Sequence, residues 1–393
     1  MTLPPYKEVD MQTGTLEEGF LDYFNKLEDP RGTRNRLYTM AEILLTTLCA
    51  AICGADGWQD VEDYGKIKLE CLRQFLPYKN GIPSDDTFRR FFRGLDPTAF
   101  QALFREWVQH IYPVLANADV SENVIAIDGK ASRHTFDGDT KMLHMVSAYA
   151  TEARLVLAQE KVSEKSNEIT AIPMLLEWLD VKGSTVTIDA MGCQYKIADI
   201  IVKKEGQYIF SLKGNQGELS DDVTLYFTGK TFKSMSEINF HETHDKGHGR
   251  IETRKCWVDT DVDWLRKRHP QWGTIQSIIQ IESTREIKGT VVTEKRYYIS
   301  SLKESAEKVL QKIRSHWAIE NALHWVLDMS FGEDQSRIRK DNAPQVMAII
   351  RHMALNLLQL TKAQMKRQSV RRLRKMAGWD NGILKTILTQ DFS

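Results

Sequence analysis

The sequence has 393 residues, 42% hydrophobic and 27% charged, enough for two or three packed domains and too apolar for wholesale disorder. Its 53 basic and 53 acidic residues cancel, so affinity for nucleic acid must come from local patches rather than net charge. Five scattered cysteines make neither a zinc-ligand series nor a disulfide framework. With no signal-like start and no apolar run of spanning length, the expectation is a cytoplasmic protein with no membrane contact.

Residues from about 15 to 120 read as helical. Leu16, Phe20, Tyr23, Phe24 and Leu27 recur at helical spacing until Asp29-Pro30-Arg31-Gly32 breaks the pattern. Tyr38 to Ile52 is strongly apolar and ends at Gly54; Asp60 to Phe75 is amphipathic. Ser84 is placed as an N-cap, with Asp85 and Asp86 in the first turn. The helix it opens carries Arg89, Arg90 and Arg93 around Phe88, Phe91 and Phe92. It could be a helix-turn-helix reader; the plainer reading is a solvated face over packed phenylalanines.

From Val124 the pattern changes to strands. Val124-Ile125-Ala126-Ile127 is a buried strand expected to end at Asp128-Gly129, and Thr185-Val186-Thr187-Ile188 repeats the design before Asp189. An acid there is costly unless it is paired, hydrogen-bonded or on a metal. Two such strands suggest sheet neighbours aiming carboxylates at one metal site. Between them lie a hairpin (Leu143 to Ala150, Leu155 to Val162) and a helix begun by Ser166-Asn167-Glu168; a helix from Gln194 and a strand from Gln207 to Leu212 follow. This order predicts an α/β, ribonuclease-H-like core, preceded by an all-helical N-terminal domain. Neither GxGxxG nor GxxxxGK[ST] occurs, which argues against a nucleotide enzyme. Residues 236–300 read as a β-rich insertion, with pieces at Glu252 to Val258, Thr274 to Glu282 and Arg296 to Ser301.

A helix then carries His316, Glu320 and His324 at four-residue intervals, so on one face. Glu320 is a candidate third oxygen ligand. The two histidines could instead hold zinc, although the arrangement is not HExxH. His241, His244 and His248 could also bind a metal, but a polar loop is the better reading. Asn342 to Leu360 is a last apolar helix. Lys362 to Lys375 contains seven basic residues and no acid, so Arg371, Arg372, Arg374 and Lys375 are candidates for phosphate contact.

The stretches Ala126-Ile127-Asp128-Gly129-Lys130, Glu164 to Pro173, Asp189-Ala190-Met191-Gly192-Cys193-Gln194 and Lys213-Gly214-Asn215-Gln216 carry a family resemblance. So do His248-Gly249-Arg250-Ile251-Glu252, Arg296 to Ser301, and His316-Trp317 through Glu320-Asn321 to His324-Trp325. Nearly the whole chain resembles the DDE transposases of ISAs-type insertion sequences, including the H-repeat-associated proteins of bacteria. The resemblance implies a triad of Asp128, Asp189 and Glu320 binding two Mg²⁺ or Mn²⁺ ions, with Asp128 bridging them by analogy. It further implies cleavage at insertion-sequence ends, then attack of the freed 3′-hydroxyl on target DNA. Double-stranded DNA is the expected partner, and a homodimer would hold two ends. Wider relatives carry a tyrosine, an arginine and a lysine around the glutamate; here Ile313, His316 and Leu327 stand there, so those phosphate contacts do not transfer.

Lys130, Lys213, Asn215, Arg250 and His316 are further candidates for DNA contact, against a plain role in turn solvation or strand connection. The expected organisation is a helical domain over 1–120 that could bind DNA ends, a catalytic core over 121–235 and 301–361, the insertion over 236–300, and a basic tail over 362–393. Competing functions are a two-metal nuclease without strand transfer, a non-catalytic DNA-binding descendant of a transposase, and a hydrolase using paired carboxylates.

Overall fold

A computed structural model describes residues 20–34, 36–115, 123–136, 142–163, 167–229, 238–247 and 250–390. Leu16, Ser166 and His248, and the side chain of Arg250, lie outside that description.

Helices occupy most of the chain up to Leu115. The central one, Met40–Cys53, is buried without a break from Glu42 to Ile52, so it runs through the core rather than along a surface. Its ends are set locally. The Thr39 hydroxyl accepts from the Glu42 N–H while the Glu42 carboxylate accepts from the Thr39 N–H at 2.9 Å, a reciprocal cap. Gly54, at φ +113°, stops it. The helix packs on Ala343–Gln364. In the Asp85–Gly94 helix the three phenylalanines are buried, and Arg89 and Arg90 pair with Asp85 and Asp86 on the same helix. Arg93 pairs with Asp341 at 2.5 Å.

Nine strands form one sheet: β1 (Val124–Ser132), β2 (Leu143–Ala150), β3 (Leu155–Lys161), β4 (Thr185–Ile188), β5 (Gln207–Leu212), β6 (Asn239–Gly247), β7 (Arg250–Asp259), β8 (Ser277–Ile287) and β9 (Thr290–Ser300), in the order β3-β2-β1-β4-β5-β9-β8-β7-β6. The first three meander antiparallel, then β1, β4 and β5 run parallel through helices Glu168–Trp178 and Tyr195–Lys203. This is the ribonuclease-H-like arrangement expected from the strand order. The later hairpins do not stand apart: β9 pairs with β5 from Ile209↔Ser300 to Leu212↔Tyr297 and extends the same sheet. Strand β6 was not anticipated, because its sequence NFHETHDKG is mostly polar and its residues are all exposed or half-buried. Backbone pairing with β7, rather than apolar alternation, makes it a strand.

Two expectations are corrected. Strand β1 does not end at Asp128. It continues to Ser132 against β2 (Asp128↔Ser147, Ser132↔Leu143), while β4 leaves it after Ile127↔Ile188. An antiparallel partner satisfies the backbone past the point where the apolar run stops, which apolarity cannot reveal. The segment read as a basic tail folds into helices Val370–Trp379 and Asn381–Thr389, capped by Ser369 and Asp380. Val370, Leu373, Ala377, Leu384 and Ile387 are buried; their spacing makes apolar stripes between the charges. No single described helix is long and apolar enough to cross a membrane.

Candidate active site

Asp128 and Asp189 each stand one residue beyond the last paired position of the parallel strands β1 and β4. Where two parallel strands part, their side chains meet at the same edge, the place where open α/β sheets carry their chemistry. Glu320 comes from the other direction. Its helix, Ala306–Ala318, packs across β1 and β4 and opens into a π-turn over Ile319–His324 before resuming as Trp325–Phe331. In that turn the Trp325 N–H reaches back five residues to the Glu320 carbonyl, while the Asn321 side-chain amide donates to the Trp317 carbonyl at 3.0 Å. Such insertions recur at functional sites because they re-aim side chains without breaking the helix.

Ligand atoms of Asp128, Glu320 and His324 lie within 4.8 Å of one another. Asp189 is outside that group. Its Oδ1 accepts from the N–H groups of Met191 (3.0 Å) and Gly192 (3.3 Å), closing its own turn. Burial first, then Glu320, then Asp189 and Glu168, push the Asp128 carboxyl up to about 7. A buried carboxyl crowded by other acids in this way marks an oxygen-rich set short of positive charge, which fits a divalent cation. His324 adds no charge, since burial first, then Lys130 and His316, drives its pKa down to about 3.

Comparison with known proteins shows the family. The Transposase DDE domain family matches residues 120–357, over half of the chain. The chain belongs to the DDE transposase family. A DDE_Tnp_1-associated region matches residues 21–108. The H repeat-associated protein YhhI of Escherichia coli strain K12 is 38% identical over 94% of this chain and 97% of its own length. YncI of Escherichia coli O157:H7 is 40% identical over 87% of each. Among solved structures, the piggyBac transposase synaptic complex with hairpin DNA aligns at a TM-score of 0.43 and 11% identity, over 94% of this chain and 75% of that one. That last likeness is too slight to argue from.

In this DDE transposase family member, His316 Nδ1 shares a 2.9 Å hydrogen bond with Thr187 Oγ1 on β4. Burial lowers its pKa, against the pull of Asp189. Three basic or amide candidates have partners within the fold. Lys130 lies within β1, its side chain only 11% exposed, and its ammonium contacts Asp328 (2.6 Å), Asp334 (3.3 Å) and Glu333 (3.4 Å). Burial works to lower the Lys130 pKa, but those acids outweigh it and hold it above its ordinary value. Asn215 donates to the Ala190 carbonyl at 2.6 Å, tying the turn after β5 to the one after β4. Arg374 is buried over the Phe331 ring and donates to the carbonyls of Ala51 and Ile52, at the last turn of the Met40–Cys53 helix. This burial leaves Lys130 and Arg374 little surface for a phosphate. Lys213, Arg371, Arg372 and Lys375 are exposed.

Two participants were missed as site residues. Glu168 opens the helix after β3, is buried, and accepts from His144 at 2.9 Å close to Asp128. An added Cβ on Gly129 would fall 2.0 Å from its Oε1, so Gly129 serves close approach rather than a turn. The zinc pairing of His324 with His316 is not what the structure offers: His324 lies beside Asp128, its Nδ1 3.5 Å from Oδ2. Glu168 lay in plain view in a motif stretch; nothing in sequence spacing announces a π-turn.

Proposed function

We propose that this chain cleaves DNA at the ends of an insertion sequence and joins the freed 3′-hydroxyl to target DNA. Asp128, Asp189 and Glu320 hold two divalent ions, Mg²⁺ or Mn²⁺. The observation that carries this reading is Asp128 meeting Glu320 from a facing helix, with Asp189 at the end of the adjacent parallel strand, and the Asp128 carboxyl raised by burial and by these acids. Ions bound there supply activation of the attacking oxygen and relief of charge on the leaving oxygen. Asp128 sits at the fork of β1 and β4, where it can ligate both. Glu168 and His144 pair with each other beside Asp128, and His316 is pinned by Thr187, with burial lowering its pKa.

The proposed partner is double-stranded DNA, bound by a homodimer that holds two ends, in the cytoplasm on the chromosome. Exposed Lys213, Arg371, Arg372 and Lys375, together with Arg250, are the proposed phosphate contacts. Residues 1–120 are the proposed end-binding region, 121–235 with 301–361 the catalytic core, 236–300 the insertion, and 362–393 a basic terminal region.

The test is cleavage and joining of a labelled duplex carrying the element's terminal sequence, with Mg²⁺ or Mn²⁺, beside Asp128→Asn, Asp189→Asn and Glu320→Gln. Joined product that vanishes in all three variants is the expected result. Nicking without joining would make the chain a nuclease, and binding without cleavage would make it a non-catalytic DNA-binding protein.

A further inference from the structure

We propose that His324 is a metal ligand of this centre through its Nδ1, making it a mixed carboxylate–imidazole site that favours Mn²⁺ over Mg²⁺. This rests on the reading that the acids hold a divalent cation, and it adds a donor that the three acids do not include.

The geometry is specific to one ring nitrogen. His324 Nδ1 lies 3.5 Å from Asp128 Oδ2, and the ring joins Asp128 and Glu320 in the 4.8 Å group. Two donors each about 2.1 Å from one cation, at right angles, stand about 3 Å apart. A separation of 3.5 Å fits that edge with a small closure, and it is long for a strong hydrogen bond. Glu320 and His324, four residues apart, share the helix face that packs against β1.

The opposite nitrogen supports the same assignment. A histidine buried in a core ordinarily engages both ring nitrogens. His324 Nε2 is buried with no hydrogen-bond partner, so packing alone does not account for this ring. When one nitrogen binds a metal, the other carries the proton and needs an acceptor. Buried His352 on the Ala343–Gln364 helix leaves its own Nδ1 unpartnered and is close enough to His324 to interact with it electrostatically. Two neighbouring buried imidazoles thus each leave one ring nitrogen unpartnered.

The consequence is metal preference. Mg²⁺ takes oxygen donors and dehydrates reluctantly, whereas imidazole suits transition ions. Exchanging His324 for the oxygen donor of glutamine should weaken Mn²⁺ binding on the order of tenfold and leave Mg²⁺ binding within about twofold.

The experiment is pulsed electron paramagnetic resonance of Mn²⁺ bound to the full chain, read for ¹⁴N coupling, with Mn²⁺ and Mg²⁺ affinities measured by titration. Wild type and His316→Gln should show the coupling, and His324→Gln should bind Mn²⁺ more weakly without it. Bound Mn²⁺ lacking ¹⁴N coupling in the wild type overturns the histidine ligand and leaves the carboxylate reading standing. Coupling that survives in His324→Gln and disappears in His316→Gln moves the assignment to His316 and overturns it equally. A wild-type chain that binds no Mn²⁺, with or without end DNA, defeats both readings together. The wild-type spectrum decides the point even if His324→Gln does not fold.

Discussion

Lys130 on β1 holds Asp328 at 2.6 Å, eight residues beyond Glu320 on the helix that faces the sheet. The same ammonium reaches Glu333 and Asp334 just past the helix end. Arg351 backs Glu333 from the other side at 4.0 Å and donates to Ser336 at 2.9 Å. The strand that carries Asp128 is thereby bolted to the helix that carries Glu320.

Removing that bolt leaves buried acids without their cation. Lys130→Met should lower unfolding free energy by about 3 kcal/mol, read as an earlier urea midpoint. Metal affinity should fall with it, because Glu320 loses its fixed position relative to Asp128. If Lys130 were instead a surface DNA contact, the variant would keep its urea midpoint and lose only DNA affinity.

Asp128 gives the metal-free protein a pH-dependent weakness. Its pKa rises from 3.8 to about 7 on folding, so the unfolded chain releases this proton first. The stability it contributes is complete below about pH 4 and is lost as pH rises towards 7. A divalent cation favours the charged form and offsets that loss, releasing a proton as it binds. The increase in melting temperature on adding Mn²⁺ should therefore grow between pH 5 and pH 8. Asp128→Asn should flatten the metal-free pH trend. A metal increment independent of pH would contradict the clustered-acid account.

The basic residues near the C-terminus should divide into two classes. Arg374→Met removes hydrogen bonds to two buried carbonyls and a ring contact 4.0 Å from Phe331; a loss of about 2–4 kcal/mol is expected. Arg371→Ala and Arg372→Ala, both exposed, should leave the melting temperature unchanged. Each should instead weaken DNA binding and reduce the slope of log affinity against log salt by about 0.9. Equal stability losses across all three would mean that this helix is structural throughout.

Gly129→Ala should disturb the centre without touching a ligand. The new methyl would meet Glu168 Oε1 at 2.0 Å and His144 Nε2 at 2.7 Å, so that pair must move. A stability loss of about 1–3 kcal/mol should accompany weaker Mn²⁺ binding. Normal metal affinity in a folded variant would show that Glu168 can swing aside and does not shape the site.

Much of this protein was legible before folding. Apolar runs ending in Asp128 and Asp189 predict neighbouring buried strands, because covering both faces of a strand requires continuous apolarity. Ser84, Gly54 and the His316-Glu320-His324 spacing mark helix ends and a helix face, because capping and the 3.6-residue period act over a few residues. The motif series from Asp128 to Trp325 carries the family. These signals are local, and a linear sequence preserves local order.

What only the tertiary structure decided is where the charged side chains point. Lys130 and Arg374 sit in stretches that read as phosphate contacts, yet acids 198 to 204 residues away claim the first and the carbonyls of Ala51 and Ile52 claim the second. A long cationic chain has no periodic signature of its own; it turns inward when distant partners repay its desolvation and outward when none is present. The same holds for His324, which only the packing of its helix across β1 sets beside Asp128, and for β6, which only its neighbour makes a strand. Composition and spacing determine most of the elements that form. Long-range pairing determines which of their polar groups meet a metal, which brace the fold and which remain free for DNA.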